Sequence, residues 1–211
     1  MQAVILFGVL LSCPLMAIAK RAPALVRNFR LQSFFLFLAT LSLGAGEGRV
    51  DLYIIAGLLF LLKVLLIPEI LYRITRRIKA NENIGLFINA QLSLFFVLGM
   101  MYAAWVFSKA MFPFAAVLKT TLLAAAFCVV LSGMFLMIFR ISALAQIIGM
   151  LVMENGIFLL ASTVSGGMPF FVEIAIFFDV FVSVVIMGFF VYQINKLFTH
   201  INVNKLSRLK G

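Results

Sequence analysis

Long apolar runs dominate the pattern of hydrophobic and polar positions along this chain. A helix needs roughly 20 apolar residues to cross a bilayer core of about 30 Å. Seven stretches reach or approach that length, at about 2–19, 31–46, 52–72, 86–108, 115–139, 142–164 and 169–195. Because backbone groups inside a bilayer must be hydrogen-bonded within the protein, stretches of this length indicate helices. The pattern predicts an all-α membrane protein, a bundle of about seven transmembrane helices.

The polar breaks between these runs are short, none longer than about 13 residues, which leaves no room for a domain outside the membrane. The second stretch, 31–46, is the shortest and is interrupted by Gly44 and Gly46. The chain contains neither an internal repeat nor a low-complexity linker. We therefore predict one integral membrane domain over residues 1–211.

Composition excludes several classes of function. Apolar residues make up 65% of the chain and charged residues 11%, with a mean hydropathy of +1.20. Soluble domains are about 45–50% apolar and about 25% charged, so a soluble enzyme or a nucleic-acid-binding domain is excluded despite the net charge of +10. Two cysteines inside apolar runs, Cys13 and Cys128, and the single His200 have no metal-ligand spacing. We expect no catalytic centre and no metal site in this chain.

The basic residues predict the orientation in the membrane. With alternate loops on opposite sides, 13 of the 17 lysines and arginines fall on one side. The other side holds Arg49, Lys109 and Lys119, and Lys63 lies within a helix. The positive-inside rule then predicts a cytoplasmic C-terminus and, with seven helices, an N-terminus outside. No basic residue precedes the first run, which favours a retained helix over a cleaved signal peptide, although Ala17-Ile18-Ala19 keeps cleavage open.

Three ionisable residues lie deep inside predicted helices. A charge at the bilayer centre costs roughly 2.5–3.5 kcal/mol on insertion scales. Lys63, Glu154 and Asp179 each lie about 10 or 11 residues from the outer end of a helix. At 1.5 Å rise per residue, all three are roughly 15 Å deep. We therefore predict that they share one level near the midplane of the membrane.

Two interpretations of these charges remain open. In the first, Lys63 pairs with one carboxylate and holds helices together, while the other acid is protonated because burial favours the uncharged form. In the second, the acids and the lysine carry protons across the membrane, as intramembrane ionisable residues often do. Glu173 falls in the first turn of the last predicted helix, where the helix dipole stabilises a carboxylate, so a structural and a functional role are both open.

Glycines and a proline indicate packing and a hinge. Gly149 and Gly156 are seven residues apart, hence on one helical face, and allow close approach of a neighbouring helix. Pro68 follows Lys63 by five residues and is expected to kink this helix and free a backbone carbonyl. Glu69 does not share a face with Lys63, because six residues turn a helix by about 600°.

Four segments of the chain carry a family resemblance. They are Lys63 to Pro68, the run Met153-Glu154-Asn155-Gly156, Val172-Glu173-Ile174 with Asp179 following, and the tail from Val203 to Gly211. Together they resemble the hydrogenase-4 component E family, over most of the chain and most strongly from about Gln146 onward. Members of this family are membrane-arm subunits of group 4 NiFe hydrogenase complexes, such as the formate hydrogenlyase type.

The resemblance implies two parts within the chain. The last part of the family is similar to the small NuoK-type subunit of respiratory complex I, which carries two membrane glutamates on a path for protons. Residues 1–140 would form five N-terminal helices, and 141–211 a NuoK-like helical pair with a cytoplasmic tail. Asp179 matches the second acid of that subunit, with Asp replacing Glu. Glu154 lies about one helical turn after the position of the first acid.

The function implied is that of a non-catalytic membrane-arm subunit of a proton-translocating, complex I-like hydrogenase in a prokaryotic cytoplasmic membrane. Glu154, Asp179, Lys63 and Glu173 would contribute to the proton path. Iron–sulfur and NiFe centres would lie in partner subunits, beside antiporter-like membrane subunits and a peripheral redox module. Two alternatives are a structural scaffold of the same membrane arm and a free-standing small transporter, which would usually have internal repeats.

Overall fold

The computed structural model describes residues 2–47, 50–78, 88–113 and 116–164. Every regular element within these ranges is helical. The helices are α1 (Gln2–Ile18), α2 (Ala22–Glu47), α3 (Val50–Leu59), a π-helical segment (Phe60–Leu66), α4 (Ile67–Ile78), α5 (Ala90–Met111), α6 (Val117–Phe139) and α7 (Ala143–Val164). The predicted helix at 169–195, with Glu173 and Asp179, lies outside the described residues.

Four described helices are long and apolar enough to cross a membrane. They are Tyr53–Arg73, which runs through the π-helical segment, Ala90–Met111, Val117–Phe139 and Leu144–Val164. Val4–Ile18 within α1 is a shorter apolar helix. The chain is therefore an all-helical membrane protein over the part described, as predicted. The number of seven spans and the orientation of the termini remain predictions.

The predicted loop at 20–30 is wrong over most of its length. The structure begins α2 at Ala22, whereas the apolar run begins at about 31. Pro23 is compatible with a first helical turn, where the backbone N–H that proline lacks has no intrahelical partner. Arg27 and Arg30 are exposed on the helix surface, so their charges need not be buried for the helix to extend. The polar residues therefore marked where the apolar run begins, and not where the helix begins.

One hydrophobic cluster of the core lies where α1, α2, α3, α6 and α7 meet. Its buried side chains are Leu6, Leu36, Ile55, Leu59, Ala125, Ala126, Phe158 and Leu159. Helix α5 packs mainly on α6 and also touches α1, and it leaves most of its surface exposed. An exposed apolar surface of this kind fits a helix that faces lipid.

Helices α6 and α7 make the most extensive contact among the described helices, and glycines allow it. A Cβ atom added at Gly156 would lie 2.6 Å from the backbone nitrogen of Val130. One added at Gly149 would lie 2.9 Å from the carbonyl oxygen of Gly133. Two backbones can approach this closely only where side chains are absent. The predicted packing face of Gly149 and Gly156 therefore lies against α6.

Arg140, at the end of α6, is fully buried and closes the end of α1. Its Nη1 donates to the carbonyl oxygen of Ala19 at 2.7 Å, and its Nη2 donates to those of Met16 and Ala17 at 3.0 and 2.7 Å. The last carbonyls of a helix have no partner within it, and a cation there also complements the helix dipole. Burial lowers the pKa of Arg140 to about 10, so the guanidinium is charged at neutral pH.

We expect Arg140→Lys to lower the free energy of unfolding by about 1–2 kcal/mol. A lysine ammonium is a single point charge, whereas the planar guanidinium donates from two nitrogens to three carbonyls. Thermal unfolding of the purified chain in mild detergent measures the change. Arg73→Lys is the matched control, because Arg73 is exposed and, within the described part of the chain, its side chain pairs with Glu69 on the same helix. An equal loss in both variants would contradict the capping role.

Candidate functional site

A buried ion pair joins the π-helical segment to α7. The Nζ atom of Lys63 lies 3.5 Å from Oε1 of Glu154, and the side chains are 1% and 4% exposed. The same nitrogen donates a hydrogen bond of 3.0 Å to Oδ1 of Asn155. Two successive residues of α7 therefore face one lysine. The structure thus brings together two of the three residues that the sequence places at one depth.

A chain of polar side chains continues from this pair into α2. Nδ2 of Asn155 donates to Oγ of Ser33 at 3.2 Å and to Oε1 of Gln32 at 3.4 Å. The Asn155 oxygen accepts from Lys63 while its nitrogen donates to side chains of α2. The amide therefore links Lys63 to α2 through hydrogen bonds in a fixed orientation. Gln32, Ser33 and Asn155 are all buried.

The polar chain then reaches α1 and α6. Nε2 of Gln32 donates to Sγ of Cys13 at 3.7 Å. The thiol of Cys13 in turn lies close to that of Cys128 on α6. The hydroxyl of Ser132 lies beside both thiols and donates to the carbonyl oxygen of Cys128 at 2.7 Å. Polar side chains from α1, α2, the π-helical segment, α6 and α7 thus form a connected path through an otherwise apolar bundle.

The carboxylate of Glu154 is the electrostatically unusual group of the site. Among the residues that the structure describes, neither of its oxygens accepts a hydrogen bond, and both are buried. A buried carboxylate normally accepts several hydrogen bonds. The Lys63 ammonium at 3.5 Å balances its charge but lies beyond the usual distance of a charge-assisted hydrogen bond. Glu154 therefore has oxygen atoms available for a proton or a water molecule.

Lys63 lies in the middle of the π-helical segment. The backbone N–H of Ile67 donates to the carbonyl oxygen of Leu62, five residues earlier, in place of the α-helical four. Pro68, the next residue, has no backbone N–H and is buried near the start of α4. Segments of π-helix inside α-helices are rare and occur frequently at functional sites. The hinge role of Pro68 stays a prediction, with a change of helical winding now located directly before it.

Two other polar residues near these helices lie away from the site. Glu69 is exposed and accepts a hydrogen bond of 2.9 Å from Nε of Arg73, one turn further along α4. Gln146 is exposed and its side-chain amide donates to the carbonyl oxygen of Arg140. No group of three or more metal-ligating side chains occurs within the described ranges. The assignment of all redox centres to partner subunits stays a prediction.

Five members of the polar chain were not predicted: Gln32, Ser33, Cys13, Cys128 and Ser132. Gln32 and Ser33 stood next to the arginines of the predicted loop, and the two cysteines were considered only as possible metal ligands. A glutamine one turn or more inside a membrane helix is a signal of interhelical hydrogen bonding. The facing of each helix, however, could not be inferred from segments that are apolar on every side.

Known proteins similar to this chain place it in a family. Hydrogenase-4 component E of Escherichia coli K12 is 33% identical over 153 residues, which cover 72% of this chain and 70% of that protein. The chain belongs to the hydrogenase-4 component E family. Hydrogenase-4 component E of Shigella flexneri matches with the same figures. An uncharacterized protein of Mycobacterium tuberculosis is 25% identical over 204 residues, or 96% of this chain and 93% of that protein.

No protein-family model and no solved structure matches the chain. The family predicted from four short segments is confirmed by identities spread over 153 residues. The similarity of residues 141–211 to the NuoK-type subunit stays a prediction. Membership in the hydrogenase-4 component E family and the apolar helices together agree with a membrane subunit.

Proposed function

We propose that this chain is a non-catalytic membrane-arm subunit of a proton-translocating, complex I-like hydrogenase of the formate hydrogenlyase or hydrogenase-4 type. Its share of the work is to move protons through, or couple them to, the pair formed by Lys63 and Glu154. The observation that carries the proposal is this buried ion pair in a member of the hydrogenase-4 component E family. Asp179 and Glu173 continue the same path in the proposed last helix.

Proton transfer at Glu154 changes the forces on Lys63. When Glu154 is ionised, the ammonium is held between its carboxylate and Oδ1 of Asn155. A proton that arrives on the carboxylate removes this charge attraction, while the hydrogen bond to Oδ1 of Asn155 remains. Lys63 then shifts toward another acid of the proposed path, such as Asp179. The π-helical segment that carries Lys63 changes to α-helical hydrogen bonding as it does so. Loss of the proton restores the original pair, which completes a cycle with no net change in the chain.

The proposed topology has seven helices, with the N-terminus outside and the C-terminus in the cytoplasm of a prokaryote. The contacts of Arg140 support it, because they join the end of α1 to the end of α6. Both ends belong to loops that the count of basic residues assigns to the cytoplasmic side. The helices between them must then cross the membrane an even number of times, as the prediction requires.

The electron-transfer chemistry belongs to other subunits in this proposal. Iron–sulfur clusters and a NiFe centre would lie in a peripheral redox module, and antiporter-like subunits would neighbour this chain in the membrane. The described part of the chain offers one buried acid, Glu154, and one buried lysine, Lys63, which can exchange protons, and two buried thiols. Nothing in the proposal requires this chain to bind a cofactor.

The test uses membrane vesicles that contain the assembled complex. We expect Glu154→Gln and Asp179→Asn to lose most of the proton movement that accompanies each electron pair, while electron transfer itself continues, as measured with a pH-sensitive dye. Glu69→Gln, an exposed acid on α4, is the matched control and should translocate normally. Glu154→Asp, which keeps a titratable group, should retain part of the activity. Normal proton movement in Glu154→Gln and Asp179→Asn would refute the path.

A structural scaffold is the second candidate, and one observation favours it. Lys63 binds two successive residues of α7, and the same contacts would also serve only to hold the two helices together. This hypothesis predicts that Glu154→Gln prevents assembly of the complex. Blue native electrophoresis of the membranes distinguishes the scaffold hypothesis from the proton-path hypothesis. The latter predicts that the complex assembles but fails to translocate protons.

A further inference from the structure

A basic cavity opens between α2 and α4, away from the buried ion pair. Its volume is about 630 Å³, and Arg21, Arg27, Arg30, Pro68, Glu69 and Tyr72 contribute to its wall. Cavities that hold a small ligand or a headgroup have volumes of about 300–1,000 Å³. Arg27 and Arg30 come from the first turns of α2 and Arg21 directly precedes it, in the segment where a loop was predicted.

The charge of the wall is strongly one-sided. Three guanidinium groups face a single carboxylate, that of Glu69. Arg73 already pairs with this carboxylate at 2.9 Å, so the charge of Glu69 does not offset those of Arg27 and Arg30. Guanidinium groups bind phosphate oxygens in a planar, two-pronged geometry that adds affinity and orientation. The cavity therefore suits a phosphate group.

Exposed apolar side chains continue from the rim of the cavity. Leu31 and Phe34 lie one turn beyond Arg27 and Arg30 on α2, and both are exposed. Leu65 is exposed and lies four residues before Glu69. Inorganic phosphate has no apolar part that could contact this surface, whereas the acyl chains of a phospholipid would cover it.

We propose that this cavity binds the headgroup of an anionic phospholipid, with its phosphate on the arginines of α2 and its acyl chains along Leu31, Phe34 and Leu65. Basic pockets between membrane helices on the cytoplasmic side bind such headgroups in other proteins, and these arginines belong to the side with 13 basic residues. Pro68 forms part of the wall and lies two residues after the end of the π-helical segment. A bound lipid therefore contacts the same membrane helix that carries Lys63. The site is independent of the proposed proton path.

Native mass spectrometry of the full chain, purified in mild detergent, tests the site. Phosphatidylglycerol, phosphatidylcholine and inorganic phosphate are titrated separately. We expect phosphatidylglycerol to bind, and Arg27→Gln and Arg30→Gln each to weaken its binding about tenfold. Lys20→Gln removes an exposed charge from the same end of the chain without touching the cavity, and should change binding by less than about twofold.

Three results would overturn the proposal. Equal binding of phosphatidylcholine would show that the phosphate charge is not recognised. Binding of inorganic phosphate that phosphatidylglycerol fails to displace would assign the arginines to a soluble anion. Unchanged phosphatidylglycerol binding in Arg27→Gln and Arg30→Gln would place the lipid elsewhere. Both side chains are exposed, so thermal unfolding should be unchanged, and two separate variants keep the test valid if one fails to fold.

Discussion

Replacing Lys63 with methionine should lower the free energy of unfolding by about 3–5 kcal/mol. The substitution leaves Glu154 buried without its counter-ion, at 3% exposure, and removes the donor to Oδ1 of Asn155. Removing one member of a buried ion pair costs more than removing both, because an uncompensated charge is left in an apolar environment. Thermal unfolding of the purified chain and the yield of folded protein from membranes measure the loss.

The double variant Lys63→Met and Glu154→Gln tests this explanation. It removes both charges, so we expect it to recover a large part of the stability that Lys63→Met loses. The difference between the double variant and the sum of the single variants is the coupling energy of the pair, expected at about 2 kcal/mol or more. Glu69→Gln breaks the exposed pair with Arg73 and should cost no more than about 1 kcal/mol. A coupling energy near zero would mean that the two charges do not interact in the membrane.

The second large effect is expected from a single methyl group between α6 and α7. A Cβ atom added at Gly133 would overlap the backbone nitrogen of Met153 and lie 2.6 Å from the carbonyl oxygen of Gly149. Backbone atoms cannot rotate away as a side chain can, so the helices must separate. We expect Gly133→Ala to lower the free energy of unfolding by about 3 kcal/mol, at the upper end for an overpacked site.

Two other glycines provide matched controls for Gly133→Ala. A Cβ atom added at Gly57 or at Gly99 would meet no described atom within 4 Å. Both lie within helices, where alanine is preferred to glycine by roughly 0.5–1 kcal/mol, so Gly57→Ala and Gly99→Ala should leave stability unchanged or raise it. The same chemical change thus has opposite signs at two kinds of position. Equal effects at all three glycines would contradict the close contact of α6 and α7.

The shared depth of Lys63 and Glu154 could be anticipated because depth in a membrane follows from counting residues. The constant rise of a helix converts position in the sequence into distance from the interface. The packing face of Gly149 and Gly156 follows from the same regularity, since residues seven apart return to one face. These inferences depend only on the geometry of a single helix.

The rest of the site depends on which helices are neighbours. Cys13, Gln32 and Asn155 belong to three helices, and their sequence separations of 19 and 123 residues carry no sign of contact. The π-helical segment also escapes prediction, because Phe60–Leu66 contains only one polar residue and so has no periodicity to measure. Arg140 was counted as a loop residue, although its charge is used inside the protein, on carbonyl groups of another helix.

The position of Arg140 has a consequence for how the chain is made. The guanidinium that closes the first helix is synthesised 121 residues after Ala19, whose carbonyl it binds. Ribosomes synthesise the chain from its N-terminus. The carbonyl groups at the end of α1 are therefore hydrogen-bonded to water until α6 has entered the membrane. We expect a chain that stops before residue 140 to leave these carbonyl groups without the guanidinium that binds them. One buried arginine thereby makes the capping of the first helix depend on synthesis of the sixth.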